Sequence, residues 1–252
     1  MIPLAELEQY ANTLLNTAAI PDYAPNGVQV RGRAEVNRLV TGVSACLALF
    51  QAATEAQADL VLVHHGLFWD KESRVVEGGL KKRLKWLLDH DLTLMAYHLP
   101  LDCHPRLGNN AQILQRLQLT PGEPFGLYRG THLSALGYTH APLPLATFVG
   151  QVQTLFGGEP LLLPFGPDPV QRIALCSGAA PELLREAKQK GADLFLSGEA
   201  AEQVYHFAQE EGIHFVAAGH HRTERFGVQA LGEHLAERFG LQHQFVDIPN
   251  PL

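Results

Sequence analysis

Two adjacent histidines, His64 and His65, directly follow the apolar run at residues 60–63 and stand before Gly66. Adjacent strand residues point to opposite faces, so both imidazoles reach one place only where the strand ends, and Gly66 supplies that ending. Neutral imidazoles are common ligands for divalent transition metals, and two side by side can each serve a different ion of a close pair. Read alone, the pair stands equally for two loop histidines.

Further donors follow in two separated stretches. Asp102 lies in HLPLDCHPRLGNN, just beyond an expected strand end, where a carboxylate suits a metal ion or, read alone, a turn or helix cap. His98, four residues earlier, suits a ligand or a partner to one. His220 and Glu224 lie in GHHRTERFGVQALGEHLAERF; with a helix beginning near His220, the two share one helix face. That spacing is common on helices, and a Glu near a helix start also suits the macrodipole. Together His64, His65, Asp102, His220 and Glu224 make a mixed nitrogen and oxygen set suited to Zn, Mn, Fe(II), Co or Ni rather than Ca. Two further motifs stand beside them. The run Gly108-Asn109-Asn110 introduces a helix and either caps it or lends amides to an anionic ligand. In Ser197-Gly198-Glu199, Glu199 either faces the same cleft or caps the next helix.

The elements that would position these residues follow from hydrophobic period. Residues 4–15 form an amphipathic helix, and Pro25-Asn26-Gly27 is turn chemistry before the alternating Val28-Gln29-Val30. LVTGVS, LALFQAATEAQA and residues 60–63 then read strand, helix, strand. A helix near 81–88 and a strand near 92–97 come next, with Pro100 ending regular structure. Residues 121–169, rich in Gly and Pro, hold short strands, turns and one helix.

ALCSGAAPELLREAKQKGADLFLSGEA then repeats the earlier logic: setting Asp193 on Asp59 places Leu194 on Leu60, Leu196 on Leu62 and Gly198-Glu199 on His64-His65. A strand near 215–217 precedes His220 and Glu224 as another precedes His98 and Asp102, with the same His-x-x-x-carboxylate spacing. The expected fold class is α/β: two related α/β domains from an internal duplication, sheets flanked by helices, and the metal site between them. The first half spans 1–125 and the second 126–252, with the C-terminal segment free to pack back on the first. Chemistry is expected at the carboxyl ends of the strands, where open α/β sheets place their sites.

Composition narrows the function classes. With 252 residues, 46% hydrophobic and 18% charged, the chain can bury a sizeable core. A formal charge of −7 with scattered Lys and Arg disfavours nucleic acid as a partner. No apolar run approaches a membrane span, and Glu6 and Glu8 stand where a secretory signal would carry basic residues, so no membrane association and a cytoplasmic location are expected. Cys46, Cys103 and Cys176 are odd in number and without C-x-x-C spacing, which implies neither a disulfide framework nor a cysteine zinc site. No G-x-S-x-G elbow, Walker A or strand-linked G-x-G-x-x-G is present.

Taken in order, NGVQV, LVHHG, HLPLD, LGNNA, SGE and GHHRTE cover nearly the whole chain and resemble the YbgI-like family, also called GTP cyclohydrolase 1 type 2 homologues. The resemblance implies that His64, His65, Asp102, His220 and Glu224 are the ligands of two divalent ions per chain. It also implies two related α/β domains, assembly as a toroidal homohexamer, and no inserted middle domain in a chain this short. The named reaction would be GTP cyclohydrolase-like: hydrolytic opening of the guanine imidazole ring with release of formate.

The leading expectation is a metal-dependent hydrolase acting on a small molecule such as a nucleotide, with His98 or Glu199 moving protons and no residue singled out as catalytic. A metal-dependent phosphoesterase is the alternative enzyme. A metal-binding or metal-trafficking scaffold without turnover is the alternative from a different class.

Overall fold

The computed structural model describes residues 1–252. The chain divides into two compact units: residues 1–107 with 227–249, and residues 108–226 with 250–252.

The first unit is built on a five-stranded sheet in the order Gln242–Phe245, Arg38–Ser44, Leu60–His65, Thr93–Ala96 and Gly27–Val30. The first four strands are parallel, and Gly27–Val30 adds antiparallel to Thr93–Ala96. Leu60, Val61, Leu62 and Val63 are all fully buried, as expected of a central parallel strand covered on both faces. Their alternation splits them between two cores. Leu60 and Leu62 join the cluster under the helices Leu4–Leu14 and Arg225–Phe239. Val61 and Val63 join the one under the helices Leu47–Glu55 and Gly78–Asp89.

The second unit carries a six-stranded sheet in the order Thr120–Tyr128, Thr131–Leu143, Val170–Cys176, Leu194–Ser197, His214–Ala217 and Leu161–Leu163. The three strands Val170–Cys176, Leu194–Ser197 and His214–Ala217 are parallel, and Leu161–Leu163 closes the edge antiparallel. Leu194 and Leu196 pack towards the helices Asn109–Arg116 and Leu145–Phe156. Phe195 packs towards the helices Leu184–Gln189 and Val204–Glu211. Both units are therefore α/β with helices on both faces of the sheet.

The duplication extends to hydrogen bonds. Asp59 Oδ2 accepts the N–H groups of Asn37 and Arg38, each at 2.9 Å, and Asp193 Oδ2 accepts those of Gln171 and Arg172, each at 2.8 Å. Leu60 pairs with Thr93 as Leu194 pairs with His214. In each unit an aspartate just before the second strand fastens the start of the first.

That register corrects one expectation. His98 stands five residues after Thr93, and Gly219 stands five after His214. His98 and Gly219 are the N-caps of the matching short helices Leu99–Asp102 and His220–Thr223. His220 and Glu224 therefore lie one position later than His98 and Asp102, and the two His-x-x-x-carboxylate spacings are not equivalent places in the duplication. Pro100 does not end regular structure either: it sits in the first turn of Leu99–Asp102, where a missing N–H costs nothing.

Candidate functional site

In the first unit the strand runs through both histidines, so His64 and His65 are its last two residues before Gly66. Their ring centroids are 4.7 Å apart. His64 is fully buried, and its Nδ1 lies 2.9 Å from the Tyr97 carbonyl oxygen. A carbonyl only accepts, so Nδ1 carries the proton and donates. His64 Nε2 then faces Asp102 Oδ2 at 3.5 Å, with the Asp102 side chain only 10% exposed. Asp102 is the last residue of Leu99–Asp102, so one turn of helix after the strand is what turns its carboxylate back towards His64. His65 Nδ1 lies 3.2 Å from Ser44 Oγ, on the neighbouring parallel strand.

His98 joins this group: ligand atoms of His64, His65 and His98 all lie within 4.8 Å of one another. Its Nδ1 donates to Asp22 Oδ1 at 3.0 Å. Asp22 also accepts from the N–H groups of Tyr23, Ala24 and Leu99 and from Asn26 Nδ2. Burial alone would push this carboxyl up, but the bond to and charge of His98, with Asn26 and the Leu99 N–H, outweigh it and hold the group at about 2. Asp22 thereby fixes the His98 tautomer and leaves Nε2 as the atom that reaches the histidine pair.

In the second unit His220 opens the helix His220–Thr223 and Glu224 caps its end, so the two share a face. His220 Nε2 lies 3.0 Å from Glu224 Oε2, and Nδ1 lies 2.6 Å from Glu199 Oε1. Burial would lower the His220 pKa, but Glu224 first and then Glu199 outweigh it and raise it to about 9. Glu199 is thus a partner of His220, and the next helix begins only at Val204.

Two glycines make the space for this arrangement. Gly178, at φ +66°, lies where a Cβ would overlap Glu224 Oε1, and Gly198 where one would meet the Gly178 carbonyl, Thr223 Oγ1 and the His220 Cα. Each follows a serine at the exit of an apolar strand, Ser177-Gly178 and Ser197-Gly198. That repeated Ser-Gly is the sequence signal for Gly178, which lies outside the ligand motifs. Asp22 was missed too, although Pro21-Asp22 is turn chemistry of the same kind as Pro25-Asn26-Gly27. Asn110 is structural: its Oδ1 accepts the Ser177 N–H at 2.8 Å and its Nδ2 donates to the Leu133 carbonyl.

Both groups have the donor chemistry of a divalent ion site. His64 Nε2, with its proton committed to the other nitrogen, faces an oxygen that also only accepts, and a cation resolves that opposition. Two donors each about 2.1 Å from one ion at a tetrahedral angle would be about 3.4 Å apart, close to the separation found. At His220, Glu199 holds Nδ1–H while Nε2 and Glu224 Oε2 converge, the carboxylate–histidine pattern that orients metal-binding imidazoles.

The family model described as Duf34/NIF3 (NGG1p interacting factor 3) matches residues 2–251. The chain belongs to the Duf34/NIF3 family. A Duf34/NIF3 relative named GTP cyclohydrolase 1 type 2 homolog, from Pseudomonas aeruginosa, is 48% identical over 256 residues, covering 99% of each chain. Among solved structures, the protein ybgI superposes with a TM-score of 0.95 at 45% identity over 100% of both chains. The protein TTHA1606 from Thermus thermophilus superposes with a TM-score of 0.90 at 35% identity, again over 100% of both chains.

Proposed function

We propose that the chain binds two divalent transition-metal ions through His64, His65, Asp102, His220 and Glu224 and acts as a metal-dependent hydrolase of a small molecule in the cytoplasm. The observation that carries the reading is the buried opposition of His64 Nε2 and Asp102 Oδ2, with His64 Nδ1 committed to the Tyr97 carbonyl. A bound divalent pair supplies Lewis acidity and makes water acidic near neutral pH.

The chain's own residues hold and orient that chemistry. The Tyr97 carbonyl sets the His64 tautomer, Glu199 accepts the Nδ1–H of His220, and Asp22 keeps His98 Nε2 turned to the histidine pair, where it can hold or move a proton. The relatives' shared name makes GTP the first substrate to test, with formate as the readout.

The decisive experiment is metal content per chain by elemental analysis, on wild type and on the double variant His64→Ala, Glu224→Ala, both purified without chelator. Near two ions per chain falling towards none supports the reading. A wild type that holds no ion even after resupply overturns it.

A further inference from the structure

Beside the histidine group of the first unit lies a cavity of about 530 Å³, a size typical of small-molecule sites. One wall is the segment after the His64-His65 strand, with Leu67, Phe68 and Trp69, and Leu80 faces it. Asp22, the carboxylate that orients His98, also lines it. Trp69 joins the cavity to the histidines: its ring centroid lies 5.7 Å from that of His65 and 5.3 Å from that of His98, with Tyr23 at 5.8 Å. Backbone bonds hold the segment that carries the indole. The Glu72 N–H donates to the Trp69 carbonyl, and the Asp70 N–H to the Tyr23 carbonyl, each at 3.1 Å.

Charge narrows the ligand. Asp70 and Glu72 line the cavity against a single guanidinium, Arg74. With Asp22, the cavity presents three carboxylates to that one cation; they would repel a polyphosphate chain, and Asp70 and Glu72 would accept the N–H groups at the edge of a heterocycle.

We propose that this cavity binds a planar, uncharged heteroaromatic ring of nucleobase or nucleoside size, seated against Trp69 next to His65 and His98. This deepens the metal-dependent reading by naming the class of molecule delivered to the site. Binding in the cavity needs no ion, whereas the fate of the bound ring rests on the metal reading.

The test uses the full chain in chelator, so it is independent of metal content. The chain has two tryptophans, so Trp86→Phe leaves Trp69 as the only indole fluorophore. Guanosine should quench its emission saturably, and GTP should bind at least tenfold more weakly. By calorimetry, Trp69→Ala should lose about tenfold or more in guanosine affinity, the scale of one stacking partner, while Trp69→Phe keeps most of it. Absence of saturable quenching, GTP binding as tightly as guanosine, or a Trp69→Ala protein with wild-type affinity would each overturn the proposal. If metal content fails and guanosine binds, only the metal reading falls; if metal is present and guanosine does not bind, only the cavity assignment falls.

Discussion

The Glu224 carboxylate occupies its place because Gly178 has no side chain. Gly178→Ala should cost about 1–3 kcal/mol and lower bound metal, through its positive φ and the collision with Glu224. Gly130, at φ +90° with nothing within 4 Å of an added Cβ, is the control for the backbone cost alone. Urea unfolding and elemental analysis of both variants check this, and a Gly178→Ala protein no worse than Gly130→Ala would contradict it. Asp22 makes the second residue-level prediction. Its folded pKa, about 2, is depressed below the ordinary 3.8, so its contribution is complete above the ordinary value and is lost as pH falls towards 2. That contribution is about 2 kcal/mol near neutral pH. Asp22→Asn should therefore unfold more easily than wild type near pH 6, with the gap narrowing as pH falls from 4 to 2 in an acid titration followed by circular dichroism. His64, His65, Asp102, His220 and Glu224 stood out in the sequence as candidate donors because such side-chain types are few and their spacing is short-range. Asp22 did not, because it is tied to His98 only through space.

Asp59 and Asp193 act at the scale of elements, each fastening two backbone N–H groups at the start of the first strand of its three-strand unit. Asp59→Ala and Asp193→Ala should each destabilise the protein by about 1–3 kcal/mol, because each loses two charge-assisted bonds to backbone N–H groups at a strand start. Chemical denaturation of the single variants reads this directly. If both unfold like wild type, the repeated bonds carry no stability and the likeness is one of shape only. The repeat was visible in sequence through the alignment of these two aspartates. The one-residue offset of His220 against His98 was not, because register depends on which strands pair and how far each short helix winds.

For the whole molecule we propose, from the family resemblance, a homohexamer. Light scattering behind size exclusion should give a mass six times that of the 27.6 kDa chain, and a stable monomer at micromolar concentration would exclude it. No helix is long and apolar enough to cross a membrane. The α/β class and the flanking of each sheet by helices followed from apolar runs of strand length alternating with helical period, and the sheets have that form. The alternation at Val28-Gln29-Val30 gave a strand, but the antiparallel edge placement of Gly27–Val30 beside Thr93–Ala96 and of Leu161–Leu163 beside His214–Ala217 had no local signal, since it is set by pairing partners distant in the chain.

Sequence alone determined which side chains could do chemistry and the α/β units that carry them. Imidazoles and carboxylates cluster just after apolar strands in the sequence, and the periodicities on either side determine α/β units. Tertiary structure decided the state of each donor. The Tyr97 carbonyl fixes the His64 proton, Glu199 the His220 proton and Asp22 the His98 proton, and each partner is distant in sequence from the ring it orients. A residue's type is written in the chain, but its tautomer, charge and aim depend on which neighbours the packed fold places within hydrogen-bond distance.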